Sequence, residues 1–121
     1  MNQPTPQQTE DAIFSGCIPR EYLWWKNFHR DWEYSDGTGA PDDWVWIVTA
    51  DHSTLDTLVS CEIRHADIIE AAREIASGQV EAARCVREQA RALLHTPEDT
   101  DIDSIVADDI LQVAVYGRIV F

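Results

Sequence analysis

Basic residues are scarce in this chain. Nine Lys and Arg stand against 22 Asp and Glu, which leaves a net charge of −13. Nucleic-acid affinity draws heavily on Lys and Arg neutralising phosphates, and docking to anionic membrane surfaces needs basic clusters too. Direct binding to either is not expected. Long apolar runs are also missing, and nothing approaches the roughly 20 apolar residues of a membrane span. Cysteine is sparse and odd in number. Cys17, Cys61 and Cys85 lie far apart without a C-x-x-C pair, so the spacing excludes the usual zinc or redox pair and gives no disulfide framework. Three buried thiols are the expectation. Residues 1–10 have neither a basic start nor an apolar stretch, so no secretory signal is expected there and a cytoplasmic setting is.

The apolar fraction, 45% of 121 residues, is that of an ordinary globular domain. Five tryptophans are generous for this length, and each can bury roughly 150–250 Å². One domain over residues 9–121 is expected, preceded by a disordered tail over residues 1–8, where Pro4, Pro6 and three glutamines fall.

Periodicity sets out the elements. Thr9-Glu10-Asp11 offers a cap for one short turn ending at Gly16. Pro19 suits the first position of a helix, and Trp24, Trp25, Phe28 and Trp32 fall at helical spacing, which predicts a helix to about Tyr34. Residues 36–41, Asp-Gly-Thr-Gly-Ala-Pro, form a loop. Trp44 to Thr49 is rich in aromatic and β-branched residues, and Val59, Cys61 and Ile63 alternate with Ser60, Glu62 and Arg64. Both read as strands of a hairpin, about 44–49 with 56–64; a helix capped by Ser53 is the rival. Trp44 and Trp46 share one face of their strand. Asp67 opens a helix presenting Ile68, Ala72 and Ile75 and stopping at Gly78. A second helix follows over about Gln79–Leu94, presenting Val80, Ala83, Val86, Ala90 and Leu93. Residues 103–116 fit either a helix or a strand. The fold class is α+β: a small antiparallel sheet around the hairpin, packed against three or four helices in a single layer on one face.

The acids are unevenly placed. Residues 31–62 carry eight (Asp31, Glu33, Asp36, Asp42, Asp43, Asp51, Asp56, Glu62) and no base. Residues 96–117 carry six (Glu98, Asp99, Asp101, Asp103, Asp108, Asp109), again without a base. The helical pair between them is balanced, with Glu70/Arg73, Glu81/Arg84 and Glu88/Arg91 at i, i+3 spacing. If the two acidic segments meet in space, their repulsion costs stability, a cost easiest to understand when something positive binds there.

No complete catalytic or metal motif is present. Asp99-x-Asp101-x-Asp103 resembles the opening of a calcium loop, but Ser104 replaces the turn glycine and Ile110 the closing glutamate. A capped, solvated helix approach is the plainer reading. His29, His52, His65 and His95 show no H-x-x-x-H spacing. Asp51-His52-Ser53 are neighbours in a turn, where triad geometry is not reached. Cys17 near Arg20 fits a buried structural thiol better than a reactive one. Gly37-x-Gly39 precedes a strand and lacks a third glycine, so it is no phosphate loop. No cofactor and no metal are expected, and no enzymatic activity.

A charge-guided protein interface is the expectation that remains. Asp36, Asp42, Asp43, Asp99, Asp101, Asp103, Asp108 and Asp109 would form its negative face, with Trp44 as an aromatic anchor. The partner would be a basic-surfaced protein, as for an inhibitor of a nucleic-acid-handling enzyme, an immunity protein or a phage- or plasmid-borne counter-defence factor. Some such proteins imitate the charge of DNA. The alternatives are an adaptor subunit whose acids serve solubility, and a small enzyme or ligand-binding domain with a site assembled from scattered residues.

Overall fold

The computed structural model describes residues 4–15, 25–30, 43–51, 58–97, 102, 104–117 and 119. Helix α1 (Pro6–Glu10) runs into a π-helical turn, Asp11–Ser15. Strands β1 (Trp25–Arg30), β2 (Trp46–Asp51) and β3 (Leu58–Ile63) follow, and then helices α2 (His65–Ser77), α3 (Arg84–His95) and α4 (Ser104–Tyr116). The α+β class is as expected.

The strands form an antiparallel sheet in the order β1-β2-β3. The register Trp46↔Ile63 and Val48↔Cys61 places these four residues on one face. Trp46, Val48 and Ile63 are buried there, and Cys61 packs against them. Ile47↔Glu62 and Thr49↔Ser60 form the opposite face, where the Thr49 and Ser60 hydroxyls lie 3.0 Å apart. The alternation read between residues 59 and 64 is therefore a half-buried strand, and the hairpin register follows from it.

Several expectations need correction. The helix expected over residues 19–34 is, at its centre, strand β1, paired with β2 and carrying a bulge at Lys26. Its ends, 19–24 and 31–34, lie outside the described residues. Trp25 and Phe28 satisfy helical spacing, but aromatic side chains fit a pleated surface better, and pairing with β2 satisfies the backbone. The tail expected over residues 1–8 is instead structured from Pro4, which is buried. Thr5 caps α1 through a reciprocal pair: its hydroxyl accepts from the Gln8 N–H at 3.2 Å, and the Gln8 side chain accepts from the Thr5 N–H at 2.8 Å. Residues 1–3 lie outside the described residues.

Helix α2 begins with the Asp67 carboxylate accepting the Arg64 N–H at 2.8 Å. It ends at Gly78, whose φ of +84° is the left-handed conformation glycine adopts at least cost. The next helix starts later than its spacing suggests, at Arg84 rather than Gln79. The Val80 N–H bonds back to the Glu74 carbonyl at 3.1 Å, so Val80 is buried as part of the reversal rather than as a helical residue. Residues 103–116 resolve as helix from Ser104. Val106, Ala107, Ile110, Leu111 and Val113 of α4 are all buried, and α4 packs against α2, α3, β3 and the π-helical turn. A helix apolar nearly all round belongs in the middle of its domain.

Candidate functional site

The residues proposed for the negative face do not share one environment. Asp36, Asp42, Asp99, Asp101 and Asp103 lie outside the described residues, and so does the prediction that the two acidic segments share a side. Asp43 is exposed in the turn before β2. Trp44 is not an exposed anchor, since it is 1% accessible. Its indole N–H donates to the Pro6 carbonyl at 2.6 Å, which ties α1 to the start of β2. Asp108 is likewise no part of a surface: it is 4% accessible and accepts from the Gln112 amide at 2.6 Å inside the core. Asp109, one residue on, is half-buried at the surface. Two of the nine positions, Asp43 and Asp109, are thus acids with described surface exposure.

Residues the sequence reading missed form a polar cluster under α1. The Thr9 hydroxyl donates to the Pro6 carbonyl at 3.0 Å and lies 2.9 Å from His65 Nδ1. With its single proton on Pro6, Thr9 accepts from His65, which fixes the Nδ1–H tautomer. Burial holds the His65 pKa below the ordinary histidine value, because the charged ring would lose hydration. Glu10, 3% accessible, accepts from the Trp46 indole at 3.2 Å. These contacts join α1, β2 and α2 through groups with little access to a ligand. The cluster is structural, and its one sequence trace was Thr5-x-x-Gln8, a capping signature.

Among the described residues no three His, Cys, Asp or Glu side chains converge as a metal site, and the Asp99–Asp103 pattern lies outside them. Cys61 is half-buried; burial, and then the neighbouring Asp67 charge, push its thiol pKa up. It is held as a neutral thiol and is a poor nucleophile. Cys85 departs from the expectation of burial and is exposed on α3. Cys17 lies outside the described residues. The helical charge pairing also differs from the i, i+3 pattern. Arg84 pairs with Glu88 at 3.0 Å, and Arg91 donates to the Ala76 carbonyl at 3.3 Å. Glu81 falls in the connection before α3.

Among the described residues, two grooves differ in character. One, ≈ 800 Å³, lies between the α2–α3 connection and the C-terminal end of α4, with Val80, Glu81, Ala82, Asp109 and Ile119 among its walls. The other, ≈ 500 Å³, runs between α2 and α3, with Arg73, Arg91 and His95 facing a single acid, Glu70. Ile105 stands 61% exposed on α4, one helical turn before Asp109.

No family model matches the chain, and no curated protein or solved structure matches it either. Among the described residues no helix is long and apolar enough to cross a membrane.

Proposed function

We propose that this is a small acidic binding protein that blocks a basic-surfaced protein partner, in the manner of an inhibitor of a nucleic-acid-handling enzyme, an immunity protein or a counter-defence factor. The observation that carries the reading is the placement of charge. The whole excess over neutrality lies in two base-free segments, residues 31–62 and 96–117, while residues 63–95 carry five acids and five bases. Excess charge of one sign speeds encounter with an oppositely charged surface and discriminates against wrong partners, although within the first segment Glu62 is paired with Arg64 at 2.6 Å. Asp43, exposed immediately before a buried and hydrogen-bonded Trp44, adds support. It sets one acid of the first segment on a rigid support, which lowers the entropy cost of presenting it.

Affinity capture from the native host at low and at high salt tests the reading. A captured basic protein whose association slows steeply with salt supports it, since exposed charges are screened over about 10 Å at 0.1 M. Replacing Asp36, Asp42, Asp43, Asp99, Asp101 and Asp103 by Asn should lower the association rate far more than it raises the dissociation rate. A partner whose binding rate ignores both salt and these substitutions overturns the reading in favour of an adaptor.

A further inference from the structure

We infer that the groove between α2 and α3 binds a phosphate monoester group, a function that goes beyond the acidic-binder reading and does not depend on it. The observation behind it is how the arginines of the helical pair are employed. Arg64 pairs with Glu62 at 2.6 Å and Arg84 with Glu88 at 3.0 Å, while Arg87 turns to the Ala82 carbonyl. Arg73 and Arg91 have no carboxylate partner among the described residues. Spacing offers one to each. Glu70 stands three residues before Arg73, yet no pair forms, and Glu88, three residues before Arg91, is taken by Arg84. In a chain of 22 acids and nine bases, two arginines left without a carboxylate line the same concavity.

The helical pair brings them together. The connection after Gly78 folds α3 back along α2, and the Arg91 guanidinium donates to the Ala76 carbonyl at 3.3 Å, in the last turn of α2. Arg73 lies one turn before Ala76 and His95 one turn after Arg91, so as the chain reverses both continue the groove in the same direction. The bond to Ala76 engages one of the five N–H donors of Arg91 and steadies its guanidinium at the edge of ≈ 500 Å³ of open space. Ala76 and Leu94, packed against the core, give the wall an apolar part.

Donors therefore dominate: two guanidinium forks and an imidazole N–H face a single carboxylate, Glu70. A lone carboxylate would occupy one fork and leave the other arginine without a partner. A phosphate monoester carries up to two charges and three acceptor oxygens, which suits two guanidinium groups, and its organic part can lie on Ala76 and Leu94. At −13 the chain repels anions at a distance. An anion held in this groove is held by these contacts and not by the general field.

The test is a titration of the full chain, labelled with ¹⁵N, with phenyl phosphate up to about 10 mM, ample for a site of millimolar Kd. Phenylacetate and blocked phosphotyrosine are titrated in parallel. Phenyl phosphate should shift the amides of Arg73, Ser77, Arg91 and His95, and phenylacetate should bind more weakly. Arg73→Gln should weaken binding about two- to fivefold, the range of an exposed ion pair, and its combination with Arg91→Gln should remove the groove shifts. Arg84→Gln deletes the same charge outside the groove and should leave binding unchanged. All three arginines are exposed, so the melting temperatures should stay close to that of the unaltered chain. Tighter binding of blocked phosphotyrosine than of phenyl phosphate identifies a protein-borne phosphate as the source, and equal or weaker binding identifies a free phosphate ester. Absence of groove shifts, an equal affinity for phenylacetate, or equal weakening by Arg73→Gln and Arg84→Gln overturns the assignment.

Discussion

The hydrogen bond between Trp46 and Glu10 carries a quantitative consequence. Trp46 is 7% and Glu10 3% accessible, and the indole N–H reaches the carboxylate at 3.2 Å. Trp46→Phe deletes three ring atoms, two of them carbon, which removes about 1.6 kcal/mol of transfer energy at about 0.8 per carbon. It also takes a donor from a buried carboxylate, which costs about 1.5–3 kcal/mol for a bond to a charged group. The substitution should therefore destabilise by about 3–5 kcal/mol, a large share of the stability of a domain this size. Glu10→Ala leaves the indole N–H without this acceptor and is costly in its own right. The double variant removes both ends of the same bond, so the two costs should fall short of additivity by about 1–3 kcal/mol. Urea unfolding followed by circular dichroism measures this without relying on tryptophan emission, provided the m-values agree. Costs that add to within about 0.5 kcal/mol would refute the bond as a stabilising link between α1 and the sheet.

Further expectations follow from single groups. The folded His65 pKa lies below the unfolded value, so the unfolded chain binds the extra proton. Stability from this group is present above about pH 6.5 and declines as pH falls from there towards the folded pKa; His65→Gln should flatten that part of a stability-against-pH curve, and an unchanged slope would remove the argument. Gly78→Ala places a Cβ that meets nothing within 4 Å, yet at φ +84°, so it should cost about 1–2 kcal/mol of backbone strain alone, read from the urea midpoint at constant m-value. Thermal melts with and without a strong chelator should superimpose, because a structural metal contributes directly to folding; a marked drop on chelation would show a metal site built from other residues.

Much of the fold was legible where one face is buried and the other is wet. Cys61 and Ile63 alternate with Ser60 and Glu62 because β3 has one face on the core. Ile68, Ala72 and Ile75 recur at helical spacing because α2 buries one stripe. Legibility failed where two periods fit the same residues. Trp25 and Phe28 satisfy a helical interval, and only pairing with β2, a long-range fact, decides for the strand. Val80 and Ala83 extend the apolar spacing of the next helix, but the left-handed Gly78 turns Val80 inward before a helix can begin. Pro6, Gln7 and Gln8 have the composition of a tail, while the cap from Thr5 and the indole bond from Trp44 make them structure.

The candidate site was less legible because a count of charge along the chain carries no information about burial. Asp108 and Asp109 are adjacent in one base-free run, yet consecutive helical residues point about 100° apart. In α4 that rotation separates a carboxylate bonded to Gln112 in the core from one on a groove wall. Glu10 is turned inward in the same way by the Trp46 indole. Among the described residues two acids thus hold the interior together, so the formal −13 is no direct measure of the charge a surface presents. Glu81 makes the converse case. Its spacing to Arg84 suggests a paired, solvated helix face, but the helix begins after it and Arg84 turns to Glu88. An acid that looked neutralised in sequence therefore stands on the wall of the larger groove. Which acids end up beside apolar surface is decided by where the backbone turns, and Glu81 and Asp109 stand there while Asp108, more conspicuous in the run, does not.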